Sequence, residues 1–506
     1  MSDATSANSA LGRRRWLVLC VIGLAQLMVT LDLTVMNIAL PSAQHALHFT
    51  TVDRQWVVTA YTLAFGSLLL LGGRLADLLG RKVTFLIGLA GFAGISAVGG
   101  ASVNFAMLVT ARAFQGAFAA LLVPSALSLL ITTFTEPKER ARAFGIYGAI
   151  AGAGGAVGLL LGGALTEYLS WRWTLYVNLV FAGVAFAGGA LLLVRQPSPN
   201  RPRLDIPGVL LVSGALFCLV YGFSNAASHS WATPSSYGFL AAGVALGILF
   251  AAWQGRAAHP LLPPRVVLDR NRDGAYLSML IASAGLFGTF LFLTYYLQQT
   301  LGYSPLVTGV AFLPLSGGLI LASNLSTILL MPRVGPRPLV TLGMLAAAGA
   351  MAWLAQLGPH TGYASGVLGP LILVGIGLGT VIAPVISTGT FGVAPQDAGV
   401  ASATVTVGQQ LGASIGTSLL NTIFAAAVAS YTAAHLASAR LIGRQALTGL
   451  ALVHGYDVAF WWTVGIFGAG AVIAAALLRR GPLVRAGAPA PAQGEVPATQ
   501  AKAGPS

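Results

Sequence analysis

The sequence predicts an all-α polytopic membrane protein with fourteen transmembrane helices. Three observations carry that prediction. Of its 506 residues, 56% are hydrophobic and only 8% are charged, whereas a soluble domain carries about 25% charged residues. Apolar runs of the length that crosses a bilayer, about 20 residues, recur along the chain. The basic residues gather in alternate connections between those runs. A water-soluble enzyme is excluded at this point, because so few polar residues cannot cover a soluble surface. The 63 glycines form no collagen-like or low-complexity repeat, and transmembrane helices tolerate glycine where they pack closely.

Six runs come first, over 16–40, 56–71, 83–103, 106–132, 143–165 and 174–194. The opening run ends in small residues like a signal peptide. It is too long for a signal core and contains Asp32 and Asn37, so it is a retained span. Two runs follow over 207–224 and 237–253. The last six cover 275–298, 305–330, 339–357, 366–390, 400–428 and 458–478.

An even number of spans puts both termini on one side. With that side inside, 22 of the 27 basic residues fall in inner segments, four (Arg54, Arg172, Arg440, Arg444) in outer ones, and Arg112 within a span. This is the positive-inside pattern, so both termini are expected in the cytoplasm of a plasma-membrane protein. The formal charge of +14 is therefore a topology signal, and no nucleic-acid partner is expected. Residues 1–15 form an N-terminal tail, 16–195 a six-helix bundle and 196–206 a linker rich in Pro and Arg. An inserted helix pair occupies 207–255, a cytoplasmic loop 256–274 and a second six-helix bundle 275–480. The Ala- and Pro-rich tail 481–506 is expected to be disordered.

Several chemistries are not supported. Cys20 and Cys218 both lie in apolar runs, and no residue set has metal-ligand spacing. The seven histidines form no pair one turn apart on a polar face. None of Lys82, Lys138 and Lys502 follows a glycine, so the chain has no phosphate-binding loop and no ATP site of that kind. No nucleophile and base meet at membrane depth. The expectations are no catalytic residue, no metal and no cofactor, with a proton gradient as the energy source for any uphill work.

Twelve of the thirteen acidic residues can be placed in loops, tails or span ends. Asp32 cannot, since it lies in the middle of the first span. A carboxylate there must be neutralised, paired or wetted. Desolvation favours its protonated form, which suits a proton carrier. The alternative is a structural acid that caps or pairs a neighbouring helix. Asn37 is five residues on and shares that face only in part. It is either a packing hydrogen bond or a contact on a substrate path. Arg112 is the only basic residue at membrane depth and must meet an acid or backbone carbonyls. Asp32 is the only deep acid in its half. A changing separation between the two would move a proton on or off, and a fixed anchor is the alternative.

Residues 73–82 fill the connection after the second span. Gly73 and Gly80 bracket a tight turn, and Asp77 can cap a helix or pair with nearby arginines. Any one element is weak, but the ten-residue pattern resembles the cytoplasmic loop of the major facilitator superfamily. The resemblance extends over about residues 16–480. The stretch around Arg112 is similar to the fourth-span motif, with Phe118 in place of a small residue. The fifth span carries Gly148, Gly152, Gly154, Gly155, Gly158, Gly162 and Gly163. It resembles the glycine-rich helix of drug antiporters, with Leu159 in place of the expected proline. The segments 31–41, 170–173, 204–208, 297–305 and 398–416 also fit. Together they resemble the fourteen-span drug:proton antiporter family.

That resemblance implies a major facilitator fold of two six-helix bundles with two helices inserted between them. It implies substrate binding near the midplane between the bundles and alternating access by rocking. Asp32 and Arg112 take the proton-coupling role, and Gly73, Asp77, Gly80, Arg81 and Lys82 form the gate, whose Asp and Arg latch the halves. Tyr61, Gln115, Tyr295, Tyr296 and Asn324, with Asn37, are candidates for the substrate path, because they are polar or amphipathic within spans. Each serves equally well as interhelical glue or an interfacial belt residue, and Trp461 and Trp462 fit the belt. A single deep carboxylate implies a neutral or monovalent cationic organic substrate. A monomer in the lipid bilayer is expected. Export of drugs or antibiotics leads. A dedicated exporter of an endogenous metabolite, siderophore or lipid, and a non-transporting sensor or scaffold, stay open.

Overall fold

A computed structural model describes residues 2–50, 53–134, 136–194, 205–228, 231, 233–257, 260–359, 361–393, 398–436 and 443–481. Most of the 196–206 linker and nearly all of the 481–506 tail lie outside the described residues. The described residues form fourteen long helical rods. The first eight are α1 (Ser2–Leu47), α2 (Arg54–Leu79), α3 (Arg81–Gly100), α4 (Phe105–Thr133), α5 (Pro137–Tyr168), α6 (Trp173–Leu192), α7 (Ile206–Ser228) and α8 (Pro234–Gln254). The remaining six are α9 (Arg270–Thr300), α10 (Pro305–Val334), α11 (Pro336–Leu354), α12 (Tyr363–Thr390), α13 (Ala398–Ala434) and α14 (Arg444–Leu477). Among the described residues, thirteen helices are long and apolar enough to cross a membrane. The rod not among them is α5, of which Val157–Tyr168 forms a shorter apolar helix.

The boundaries follow local chemistry. Asn104 accepts from the Met107 amide at 2.9 Å to cap α4, and Asp269 accepts from Asn271 and Arg272 to cap α9. Proline opens α5, α8 and α10, where its missing N–H leaves no helical partner wanting. Five-residue π turns close α9, begin α12 and interrupt α10, the last between prolines 314 and 332 of that rod.

One expectation is corrected here. Residues 73–79 do not form a loop between bracketing glycines. They are the last turns of α2, and only Gly80 breaks the helix. Its φ of +92° is accessible to glycine at little cost, and α3 restarts at once. Gly335, at φ +77°, separates α10 from α11 in the same way.

That likeness is general. Within the first half, α2 packs on α4, α3 on α4 and α6, and α1 on α5 and α6. Advancing each number by eight reproduces the second half: α10 on α12, α11 on α12 and α14, and α9 on α13 and α14. The halves meet through α5 on α10 and α2 on α13, and these pairs also exchange under the same shift. Two six-helix bundles are therefore related by a pseudo-two-fold. The hairpin α7–α8 breaks the symmetry. Only α7 of the pair packs broadly on the bundles, lying against both α2 and α13.

Candidate functional site

Asp32 and Arg112 meet inside the first bundle. The Asp32 Oδ2 atom lies 2.5 Å from Arg112 Nη1, and the residues are 2% and 1% exposed. α1 supplies the acid and α4 the base. The second carboxylate oxygen, Oδ1, accepts from Asn178 Nδ2 of α6 at 2.8 Å and from Gln115 Nε2 of α4 at 3.2 Å. Gln115 also donates to Ser96 Oγ of α3 at 2.7 Å and accepts from Arg112 Nη1 at 3.0 Å. Arg112 Nε reaches the Val57 carbonyl of α2 at 3.3 Å, and its guanidinium lies 4.6 Å from the centre of the Tyr61 ring. Five helices thus contribute to one buried polar network. A buried pair needs this satisfaction, because charges taken out of water are costly unless every lone pair and proton is engaged.

Two groups at the network stand idle. Asn178 Oδ1 and the Tyr61 hydroxyl are buried with no hydrogen-bond partner among the described residues. An ionised Asp32 offers acceptors only, whereas a protonated Asp32 must also donate. Asn178 Oδ1 is an acceptor beside it that a rotation of the amide would present. The network therefore has a place for either form of the acid.

The candidates for a substrate path separate in space. Tyr61 and Gln115 belong to the ion-pair network and are fully buried within the first bundle. Tyr295 lies beneath the Arg54 guanidinium, 4.7 Å from its ring centre. Tyr296 donates to the Gly358 carbonyl at 2.8 Å and holds the second bundle together. Asn324 is exposed and donates to Ile320 of its own helix. Asn37 is half-buried on α1. The structure thus does not gather these six into one cleft.

Arg54, expected in an outer segment, is buried at the start of α2. It donates to Gln44 of α1. With its amide oxygen turned toward Arg54, Gln299 of α9 accepts at 3.0 and 3.3 Å. Arg54 therefore bridges the two bundles. Asp457 is also corrected: it lies within the long helix α14, not at a span end, with Oδ1 buried and unpartnered among the described residues.

The glycine helix has two faces. A Cβ on Gly158 would stand 2.0 Å from Thr34 Oγ1, and one on Gly162 would stand 2.9 Å from Val35 Cα. These glycines let α1 approach α5. Gly163 instead faces the other bundle, where a Cβ would meet Leu306 Cα at 2.6 Å. Reciprocally, a Cβ on Gly309 would lie 2.4 Å from the Leu159 carbonyl. Leu159, where proline was expected, buries its side chain in the core of the second bundle. Gly148 and Gly152 also lie on α5, but their surroundings are outside the description.

In the 73–82 segment, Lys82 Nζ donates to the Ala190 and Leu193 carbonyls at 2.7 and 2.6 Å. It caps the C-terminus of α6, where a cation is favoured. Gly73 and Arg81 lie on α2 and α3, and the side chain of Asp77 is outside the description. No cluster of three potential metal ligands occurs among the described residues.

The sequence pattern of the Major Facilitator Superfamily matches residues 22–417. The puromycin resistance protein pur8 of Streptomyces alboniger is 49% identical over 467 residues, covering 92% of each chain. The cephamycin export protein CmcT of Amycolatopsis lactamdurans is 40% identical over 79% of this chain and 83% of its own. The tetracenomycin C resistance and export protein of Streptomyces glaucescens is 34% identical over 84% and 79%. Among solved structures, a bacterial homologue of the human lysosomal transporter Spinster, inward-facing and unoccupied, matches with a TM-score of 0.61. It is 16% identical and the match covers 91% of this chain and 96% of that one. At that identity the likeness is one of fold.

Proposed function

The chain belongs to the major facilitator superfamily, so it is a multi-pass membrane transporter and not an enzyme, and we propose that it is a proton-coupled efflux antiporter working by alternating access. The match to resistance and export proteins supports efflux of a small organic compound at the plasma membrane. The observation that carries proton coupling is the buried Asp32–Arg112 pair with its unused acceptor on Asn178. In this reading a proton reaching Asp32 dissolves the ion pair. Asn178 turns its oxygen to the new hydroxyl, and Arg112 keeps Gln115, Val57 and the Tyr61 ring. The first bundle then has two arrangements of α1, α4 and α6 that differ by one proton. Substrate binding between the bundles selects between them, and loss of the proton on the inner side resets the cycle.

Fourteen spans with cytoplasmic termini, a monomeric state and a neutral or monovalent cationic substrate complete the proposal. Gly73, Asp77, Gly80, Arg81 and Lys82 act at the inner gate. Lys82 there holds α3 to α6, so that the pair moves as a unit.

The test is proton movement in proteoliposomes on adding a panel of puromycin, cephamycin, tetracenomycin C, lincomycin and ethidium. Compound-triggered proton movement that disappears in Asp32→Asn is expected. Movement that persists in that variant removes Asp32 from coupling, and substrate flux without proton movement removes antiport. A second reading, a dedicated exporter of one self-made compound, is favoured by relatives whose names join resistance to export. It predicts movement with a single member of the panel.

A further inference from the structure

The two seams between the bundles are built differently. Where α5 meets α10, glycines 163 and 309 bring backbone against backbone, and the Leu306 amide donates to Glu167 at 3.0 Å. Where α2 meets α13, the facing side chains are polar: Thr59, Thr62 and Ser67 on α2, and Gln410, Ser414, Thr417 and Ser418 on α13. Thr62, Ser67 and Thr417 are satisfied by carbonyls of their own helices, Thr62 by Thr59, Ser67 by Leu63 and Thr417 by Ala413. Gln410 and Ser414 are not. They are 4% and 3% exposed, and Gln410 Nε2 and Ser414 Oγ have no hydrogen-bond partner among the described residues.

Each of the two lines its own narrow gap in the seam. Gln410 lines one with Thr62, Gly66 and Ser67 of α2 and Leu216 and Val220 of α7. Ser414, one helical turn further along α13, lines the other with Val58 and Thr62 of α2 and Phe287 of α9. A buried donor left unpaired costs about as much as a hydrogen bond is worth. Two such groups lie one turn apart in the interface that alternating access must open.

We propose that Gln410 and Ser414 form a hydrogen-bonding subsite for the acceptor oxygens of a neutral amphipathic substrate. Phe287, Val58, Leu216 and Val220 are its apolar walls. The inserted helix α7 closes the seam on its outer side: Ser213 Oγ donates to the Ser67 carbonyl at 2.7 Å, and Leu216 and Val220 line the gap. The subsite is thus reached from the space between the bundles and shut off from lipid. This inference rests on the export reading, and it gives α7 a task in that reading: it makes a lateral opening into a walled pocket.

The experiment uses the full chain in two arms. In the transport arm, Gln410→Leu and Ser414→Ala are compared with the unsubstituted protein over the same panel. KM is expected to rise about tenfold for the oxygen-bearing compounds, the effect of one lost hydrogen bond, with kcat kept. Ethidium, which carries no acceptor oxygen, keeps its KM. An equal loss for every compound, or no change for any, overturns the subsite. In the labelling arm, Ser414→Cys is placed in a Cys20→Ser, Cys218→Ser background and treated with a membrane-impermeant maleimide. Labelling that the compound of lowest KM suppresses is the expected result. A cysteine at 414 that never reacts overturns the subsite even where transport stands. A panel of which the unsubstituted protein moves nothing overturns the export reading instead, and reactivity at 414 then decides the seam alone.

Discussion

At the scale of single residues, the ion pair sets the terms. Removing Arg112 leaves the Asp32 carboxylate buried without its cation, a change that costs about 3–5 kcal/mol where it has been measured in other proteins. Arg112→Ala is therefore expected to lower the unfolding temperature sharply in detergent. The double variant Asp32→Asn, Arg112→Gln should regain more than half of the loss, because neither charge is then stranded. If the double variant is no more stable than Arg112→Ala, the pair is not what burial at this site punishes. Asn178→Leu removes one donor to Asp32 and should cost about 1–3 kcal/mol while also changing the pH profile of transport, which a merely structural residue would not do. Asp32, Arg112 and Gln115 were legible in the sequence as polar groups at membrane depth. Ser96 and Asn178 carried the same signal, a polar side chain inside an apolar run, but a serine and an asparagine in a helix have many bland uses. Only the convergence of α3 and α6 on Asp32 distinguishes them. Asp457 was misplaced for a related reason. The apolar run begins beside it, yet α14 continues well before that run, and hydropathy alone marks where apolar side chains start, not where the helix does.

At the scale of elements, glycine placement and one carboxylate decide how helices meet. Gly309→Ala would set a Cβ 2.4 Å from the Leu159 carbonyl, and a backbone atom cannot swing aside. α5 and α10 should separate, seen as a longer and broader distance between spin labels at Tyr168 and Val307 in electron paramagnetic resonance. Gly183→Ala, which meets nothing within 4 Å, is the control that should leave that distance alone. The sequence showed the glycine repeat of α5 but not its two addresses, α1 for Gly158 and Gly162 and α10 for Gly163, because spacing fixes a face and not the partner. The inserted hairpin depends on Asp205, just before α7. It accepts from Gly208 N at 3.0 Å, Trp253 Nε1 at 2.8 Å and Gln254 Nε2 at 3.0 Å, tying the start of α7 to the end of α8. Burial works against its ionisation, but these hydrogen bonds and one from the Leu261 backbone outweigh burial and hold its carboxyl below the usual range. A depressed carboxyl stabilises the fold above the ordinary carboxylate pKa and loses that contribution as pH falls through the lowered value. Trp253 fluorescence should therefore stay constant from neutral pH down to the usual carboxylate range and change only below it. In Asp205→Asn that acid transition should vanish.

At the scale of the whole molecule, the pseudo-two-fold is close in backbone and broken in chemistry. The resemblance reaches single side chains: Arg14 on α1 donates to the Leu192 carbonyl at the end of α6, and Arg270 on α9 donates to Ala476 at the end of α14. The ion pairs do not repeat. Both of those among the described residues, Arg112–Asp32 and Arg15–Glu139, lie in the first bundle, while the second is built around an extended apolar core. The repeat of helices was legible as two sets of six runs, since span length is written in hydropathy. The division of labour was not, since it depends on which polar groups face one another. Between the bundles, the ends near the start of α2 and the end of α5 are joined at two places: Arg54 reaches Tyr295 and Gln299 on α9, and Glu167 accepts from Leu306 on α10. In the alternating-access cycle proposed above, each contact belongs to one closed state and is lost when these ends part. If each contributes about 1 kcal/mol, losing both shifts the balance of open and closed states by more than tenfold. Arg54→Ala with Glu167→Ala should then lengthen the Tyr168–Val307 label distance in the absence of substrate, and each single change should lengthen it in part. The Asp32–Arg112 pair is untouched by these substitutions, so the fold of the first bundle should persist while the conformational balance moves. An unchanged distance in the double variant would place the closure of this end in the α2–α13 seam instead, where α7 adds its own contact.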